Sequence, residues 1–383
     1  MNKNKDKIMG YVSVGLFMLC GFVAGALMPF SLEGKRPAGL LEKSNLVAFL
    51  FILFVVAVFF FFHIALHELG HMIGGFISGY KFVSYRIGSI MLAKYDDGFK
   101  IKKFSIPGTA GQCLMEPPVY DKNFKYKLYF ASGVLANVIV VSISTMLMFK
   151  FGIETFWGRT MLLATWIGIY FIITNGIPMK ANGIVNDYYN LFFMREEIQI
   201  KSFWETLNIN AKMQKGALPS ELMEEDIVIT DEMINGCGDI SIAAKLITIS
   251  SLYVEKGRYE EAYDLLTKVK NNDDLIDLYK NELQCEQIYF ELILQNRKEV
   301  IDELYTDKIK RYIITTKPSM ISRVRLMYAF ELLGNNDVEA AKKEKDLFEK
   351  MSKNYPNLGD LKLEQKMLSK VDEVYMNRSQ VSD

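Results

Sequence analysis

The chain has 383 residues, with 45 basic side chains balancing 45 acidic ones, and half of its residues are apolar. That length admits two to three domains. The composition excludes general disorder, and the zero balance excludes a whole-chain nucleic-acid binder. The balance hides an asymmetry: residues 1–190 hold 18 Lys/Arg against 10 Asp/Glu, and residues 191–383 hold 27 against 35. Two domains in different surroundings are expected, 1–194 and 195–383.

Lys3, Lys5 and Lys7 precede residues 8–32, a stretch of 25 residues without charge. It is too long for the apolar region of a signal peptide and long enough to cross a bilayer, so it reads as a retained span. Uncharged runs follow at 46–66, 128–149 and 160–179, each close to the ~20 residues that a membrane helix requires. Between the second and third runs lie nine Lys/Arg, from Lys81 to Lys127. By the positive-inside rule that loop and both termini are cytoplasmic, which gives a multi-pass cell-membrane protein of four spans. A composition rich in Lys, Asn, Ile and Phe points to a bacterial source.

Within the basic loop, the β-prone runs 90–95 and 99–104 flank Asp97-Gly98, a strong hairpin signal. Lys100, Lys102 and Lys103 interleave there with Phe99, Ile101 and Phe104, as in a surface hairpin whose lysines reach lipid headgroups. Beyond about residue 195 the chain turns helical and amphipathic. Segments 253–266, 290–304 and 328–342 look self-similar, with Gly257, Asn296 and Gly334 at equivalent turns. Tyr253, Gly257, Tyr259 and Ala262 match a tetratricopeptide-like pattern, and Pro356 closes the last unit. An ordinary helical bundle is the alternative. Either arrangement offers a docking surface for a cytoplasmic protein partner. The fold class expected is therefore mainly α: a polytopic helical membrane domain carrying a hairpin, then a soluble helical repeat domain.

Cys20, Cys113, Cys237 and Cys285 are too dispersed for a disulfide framework or a cysteine zinc site. The chain's three histidines are His63, His67 and His71, and His67-Glu68-Leu69-Gly70-His71 sets two imidazoles at i and i+4 on one helical face. Both can reach one zinc ion, with Glu68 beside it as a base. An ionisable Glu inside an apolar span is costly unless it is used or paired. His63 lies one turn further up, ~6 Å along the axis, as a supporting or packing residue. The third ligand is then a carboxylate, from Glu116, Asp121 or Asp187, or less favourably the Cys113 thiolate. Asp187 follows the fourth run on the side of the membrane where the histidines sit, and topology favours it.

At these residues the chain resembles the site-2 protease family of intramembrane zinc metalloproteases. The pentad is the first match. Asn175-Gly176-Ile177-Pro178 followed by Asn186-Asp187 is similar to the family's Asn-x-x-Pro segment and Asp-Gly, whose aspartate is the third ligand. The spacing here is longer, and Tyr188 replaces the glycine. Gly133-Val134-Leu135-Ala136-Asn137 resembles the family's Gly-Pro-Leu-x-Asn, with Val134 for Pro. The resemblance covers residues 46–190. It implies one Zn2+ held by His67, His71 and Asp187, with Glu68 as general base in peptide hydrolysis.

The substrate would be a transmembrane protein or membrane-bound peptide, and nucleic acid is not expected as a partner. Asn137, Asn175, Gly111 and Gln112 are the candidate substrate contacts, Asn137 being equally open to an interhelical hydrogen bond. A helical substrate must be held extended for cleavage, which the 90–104 hairpin and residues 106–112 could do by strand addition. The rival function is a non-catalytic membrane-anchored scaffold or regulator whose helical domain binds a protein. A transporter is poorly supported by four spans without further intramembrane charges.

Overall fold

The computed structural model describes residues 44–381 other than 107–108, 122, 182–183 and 225–226; earlier in the chain it describes only Gly15, Met18 and Leu19. The first expected span, 8–32, therefore lies almost wholly outside the described residues. The rest is mainly helical, with small antiparallel strand pairs, and forms two compact units. The first comprises the described residues up to Ile87 together with Ala110–Arg195; the second comprises Gly88–Thr109 and the residues from Glu196 on. Among the described residues, three helices are long and apolar enough to cross a membrane: α1 (Asn45–Ile77), α2 (Lys127–Phe151) and α3 (Phe156–Gly176).

Helix α1 starts where the Ser44 hydroxyl accepts a hydrogen bond from the Val47 N–H, at 3.4 Å. Its 33 residues contain no proline and extend ~50 Å, beyond the bilayer's ~30 Å hydrocarbon core. It continues past residue 66, the expected end of the run, because nothing breaks it before Ser78-Gly79. There Gly79 takes φ 86°. The Tyr80 N–H donates to the Gly75 carbonyl at 2.9 Å and the Gly79 N–H to Phe76 at 3.1 Å, the paired bonds of a glycine-terminated helix. Ending the helix there turns the chain into β1 (Lys81–Ile87).

Hydrocarbon supplies no hydrophobic drive for one helix to find another, so close packing must. Gly70 and Gly74 are four residues apart on α1 and face Ser132 of α2. A Cβ on Gly70 would strike the Ser132 carbonyl and come within 2.8 Å of Ala136 Cβ. Helix α3 packs on both other helices. Strand β1 pairs with β4 (Gly111–Glu116). The pair is fastened to the helices by tyrosines: Tyr85 Oη donates to the Ala65 carbonyl at 2.5 Å, and Tyr129 Oη to the Cys113 carbonyl at 2.8 Å.

In the second unit, β2 (Ile90–Tyr95) and β3 (Gly98–Lys103) form the expected hairpin. Tyr95 pairs with Gly98, so Asp96-Asp97 is the two-residue loop. The hairpin was expected with residues 1–194; it packs instead with the carboxy-terminal helices. Alternation buries Met91, Ala93 and Tyr95 against Leu358. Tyr95 Oη donates to the Pro356 carbonyl at 2.7 Å.

Helical hairpins 240–255/259–270, 277–293/298–304 and 321–334/338–352 follow. They turn at Gly257, Asn296 and Asn336, whose φ values are 77°, 53° and 54°. The third turn is thus at Asn336 rather than Gly334, since a residue that tolerates left-handed backbone is needed two positions later than expected. Buried Arg323 bonds Glu282; buried Arg325 bonds Glu286 and Glu364, both at 2.7 Å. A cavity of 330 Å³ beside these carboxylates is lined in part by Phe104, Tyr279, Ser319 and Tyr355.

The α1–α2 contact predicts that Gly70→Leu destabilises the full chain by ~1–3 kcal/mol, through overpacking; a denaturing-detergent titration would show it. The carboxylate cluster predicts a pH effect. Burial, outweighing the Arg325 ion pair, pushes Glu364 from its ordinary value near 4.5 up to about 7. A carboxyl raised on folding contributes stability that is complete below the unfolded value and fades as pH rises through the folded one. Between pH 4.5 and 7 the wild-type Tm should fall, and Glu364→Gln should remove that component; superimposable profiles would refute it.

Candidate metal centre

Helix α1 carries His67 and His71 on one face, four residues and just over one turn apart. Both rings are buried, at 7% and 6% exposure, and their Nε2 atoms lie 3.1 Å from one another. Asp187 reaches them from the first turn of α4 (Asp187–Phe193). Its Oδ2 is 3.0 Å from His67 Nε2 and 3.2 Å from His71 Nε2.

The chain beyond α3 explains how that carboxylate arrives. Strands β5 (Lys180–Ala181) and β6 (Ile184–Val185) fold back on one another, so the long separation of Pro178 from Asp187 is taken up by a small hairpin. Asn186 then caps α4. Its Oδ1 accepts from the Tyr189 and Met179 N–H groups at 3.0 and 3.1 Å, and its Nδ2 donates to the Thr174 and Ile177 carbonyls at 2.7 and 2.6 Å. One amide thus ties the end of α3 to the start of α4 and fixes Asp187. Burial alone would raise the Asp187 carboxyl; the adjoining His71 and His67 rings instead hold it well below the usual carboxylate range.

Two imidazole nitrogens and one carboxylate oxygen form a donor set suited to zinc. Their spacing resembles the ~3.3 Å edge of a tetrahedron with ~2.0–2.1 Å metal bonds. Gly133 on α2 faces these nitrogens without a side chain. A Cβ there would lie 2.6 Å from His71 Nε2 and 2.8 Å from His67 Nε2. His71 Nδ1 is 2.7 Å from the Tyr129 carbonyl, to which it can only donate, leaving Nε2 bare for a metal.

Glu68 is half-buried on the next residue of α1 and accepts from the Cys113 N–H. Gly111 of β4 lies against it: an added Cβ would be 2.7 Å from Glu68 Oε1. Among the described residues β4 pairs along its length only with β1, and at Cys113 its outward N–H and carbonyl are taken by Glu68 and Tyr129.

The other expected residues fall as follows. Gly111 adjoins Glu68, whereas the Gln112 side chain is exposed. Asn137 is fully buried and touches the rings of His63 and His67. Asn175 turns its amide back to the Phe171 carbonyl of its own helix, at 3.2 Å. Cys113 faces the protein interior, and burial pushes its thiol up, which disfavours the thiolate a metal needs. The donor group among the described residues contains His67, His71 and Asp187, and not Cys113, Glu116 or Asp121.

Sequence reasoning missed Asn186 as the device that aims Asp187, although Asn directly before a helix is a capping signal. It also missed Gly133 as the residue that faces the centre without a side chain. Nothing local marked the Tyr129 carbonyl.

Gly133→Ala should weaken zinc binding by the full-length chain ~10-fold or more, a loss of the size seen when metal sites lose supporting structure. Chelator competition would measure it. Gly176→Ala is the control, because its methyl would meet Val134 Cγ1 at 3.2 Å and no metal-centre atom. Equal affinities for the two variants would contradict the role given to Gly133.

Comparison of the chain with protein-family models, curated proteins and solved structures found no match.

Proposed function

We propose that the chain is an intramembrane zinc metalloprotease of the site-2 type, cleaving membrane-embedded proteins or peptides. The observation that carries this reading is the convergence of His67 Nε2, His71 Nε2 and Asp187 Oδ2 next to Glu68, on a helix long and apolar enough to span a bilayer. When bound there, zinc supplies Lewis acidity that polarises a carbonyl and acidifies water to near neutrality. Glu68 takes the proton of the attacking water and returns it to the leaving amine nitrogen. The Cys113 N–H orients the Glu68 carboxylate for that exchange.

A substrate helix must unwind before cleavage, since its peptide groups are bonded to one another. The start of β4 is the element suited to hold it extended, by strand addition at Gly111, ahead of the Cys113 groups already bonded to Glu68 and Tyr129. The small residue at that point lets a second backbone come close to Glu68. Four spans, counting residues 8–32, with both termini in the cytoplasm complete the arrangement. The three helical hairpins then form a cytoplasmic tetratricopeptide-like domain that takes up a protein partner.

A scaffold reading draws on the cavity among those hairpins and makes no use of Glu68, so this residue separates the two. Glu68→Gln should lower peptide hydrolysis ~10²–10⁴-fold while zinc content stays at one ion per chain. Uncleaved membrane peptides should accumulate in cells carrying it. Full biological activity without Glu68 would establish the scaffold instead.

A further inference from the structure

Among the described residues, His67 Nδ1 meets a side-chain amide where His71 Nδ1 meets a backbone carbonyl. His67 Nδ1 lies 3.0 Å from Asn137 Nδ2. Asn137 Oδ1 is in turn 3.2 Å from His63 Nδ1, and His63 Nε2 is 3.2 Å from the Ala164 carbonyl of α3. His63 and Asn137 are both wholly buried. The four groups form one chain: Ala164 carbonyl, His63, Asn137, His67.

The proton positions along this chain are fixed from its far end. A carbonyl only accepts, so a neutral His63 must carry its proton on Nε2 and leave Nδ1 bare. A bare Nδ1 needs a donor, and Asn137 meets that need once its amide is turned over, with NH2 toward His63. Its oxygen then faces His67 and can accept only from Nδ1–H. Neutral His67 is left with Nε2 bare, aimed at the point it shares with His71 and Asp187. The orientation drawn in the structure, Nδ2 toward His67 and Oδ1 toward His63, has the same shape. It would put the His67 proton on Nε2, and would set two lone pairs against each other between His63 and Ala164.

We propose that His63 and Asn137 are positioning residues that preset the tautomer of His67, with the Ala164 carbonyl as the anchor, so that its metal-binding nitrogen is free before any metal arrives. The relay is held mechanically as well. The His63 ring stacks on Phe171 at 5.9 Å and 19°. Gly168 makes room for it, since a Cβ there would lie 2.5 Å from His63 Cε1. Asn137 is on this account a link behind the metal centre rather than a substrate contact.

This inference rests on the zinc reading, and the test separates the two. With three histidines in the chain, ring-¹⁵N-labelled full-length protein gives a spectrum of few lines. In the metal-free wild type, His67 should be protonated on Nδ1 and His63 on Nε2. His63→Phe keeps an aromatic ring against Phe171 but frees the amide. The His67 proton should then shift toward Nε2, and zinc affinity should fall ~10-fold. In the double variant with Asn137→Asp, the carboxylate can only accept from Nδ1–H, so both properties should return.

A wild-type His67 protonated on Nε2 would overturn the relay. So would a folded His63→Phe variant with unchanged tautomer and affinity, or a folded double variant whose zinc affinity stays low. A wild type that shows the expected tautomers yet binds no zinc would defeat the protease reading and leave the relay standing.

Discussion

Polar groups placed among apolar helices have no water to turn to, and every one of them must find its partner within the protein. Three imidazoles, an amide and two carboxylates sit in or beside the bundle, and each has specific neighbours. His71 meets the Tyr129 carbonyl, His67 meets Asn137, and Asp187 meets both imidazoles. Unsatisfied, each would cost several kcal/mol. That constraint dictates much of the first unit. Gly70, Gly74 and Gly133 are small because the polar groups require close helices. Asn186 spends all of its hydrogen-bonding capacity on bringing one carboxylate to the right place.

The same constraint joins stability to chemistry. A side chain held by mutual satisfaction has little freedom to change its protonation or direction, and that rigidity is what a preorganised metal ligand needs. The second unit uses charge differently. Arg323 and Arg325 are buried among Glu282, Glu286 and Glu364, where replacing one partner would strand another. There the network specifies how helices meet.

Much of this was legible in the sequence wherever the signal is local. Apolar runs at 46–66, 128–149 and 160–179 correspond to α1, α2 and α3 within a few residues at most ends, because length and hydropathy determine such helices almost alone. The run before α1 falls outside the described residues. The Asp-Gly hairpin was visible through turn chemistry, though its loop is one residue earlier. The i, i+4 histidines declared their shared face. Less legible were features that depend on distant chain: the hairpin's burial on Leu358, the amide links of Asn137, and the third helical turn at Asn336. In that last case Gly334 looked the better turn former, yet a π-helical turn over Phe330–Gly334 moves the left-handed residue onward.

The contact of Tyr95 with Pro356 joins residues separated by 261 positions. During synthesis the β2–β3 hairpin is complete long before its cover exists. At ~5–20 residues per second, ~13–50 s pass before Pro356 is made. Throughout that interval Met91, Ala93 and Tyr95 lack the cover that Leu358 later gives them. The segment around Pro356 and Leu358 is therefore what settles the strand of Tyr95, made 261 residues earlier. A nascent chain arrested before residue 356 would present that apolar face to chaperones and proteases, giving the cell a means to discard incomplete copies.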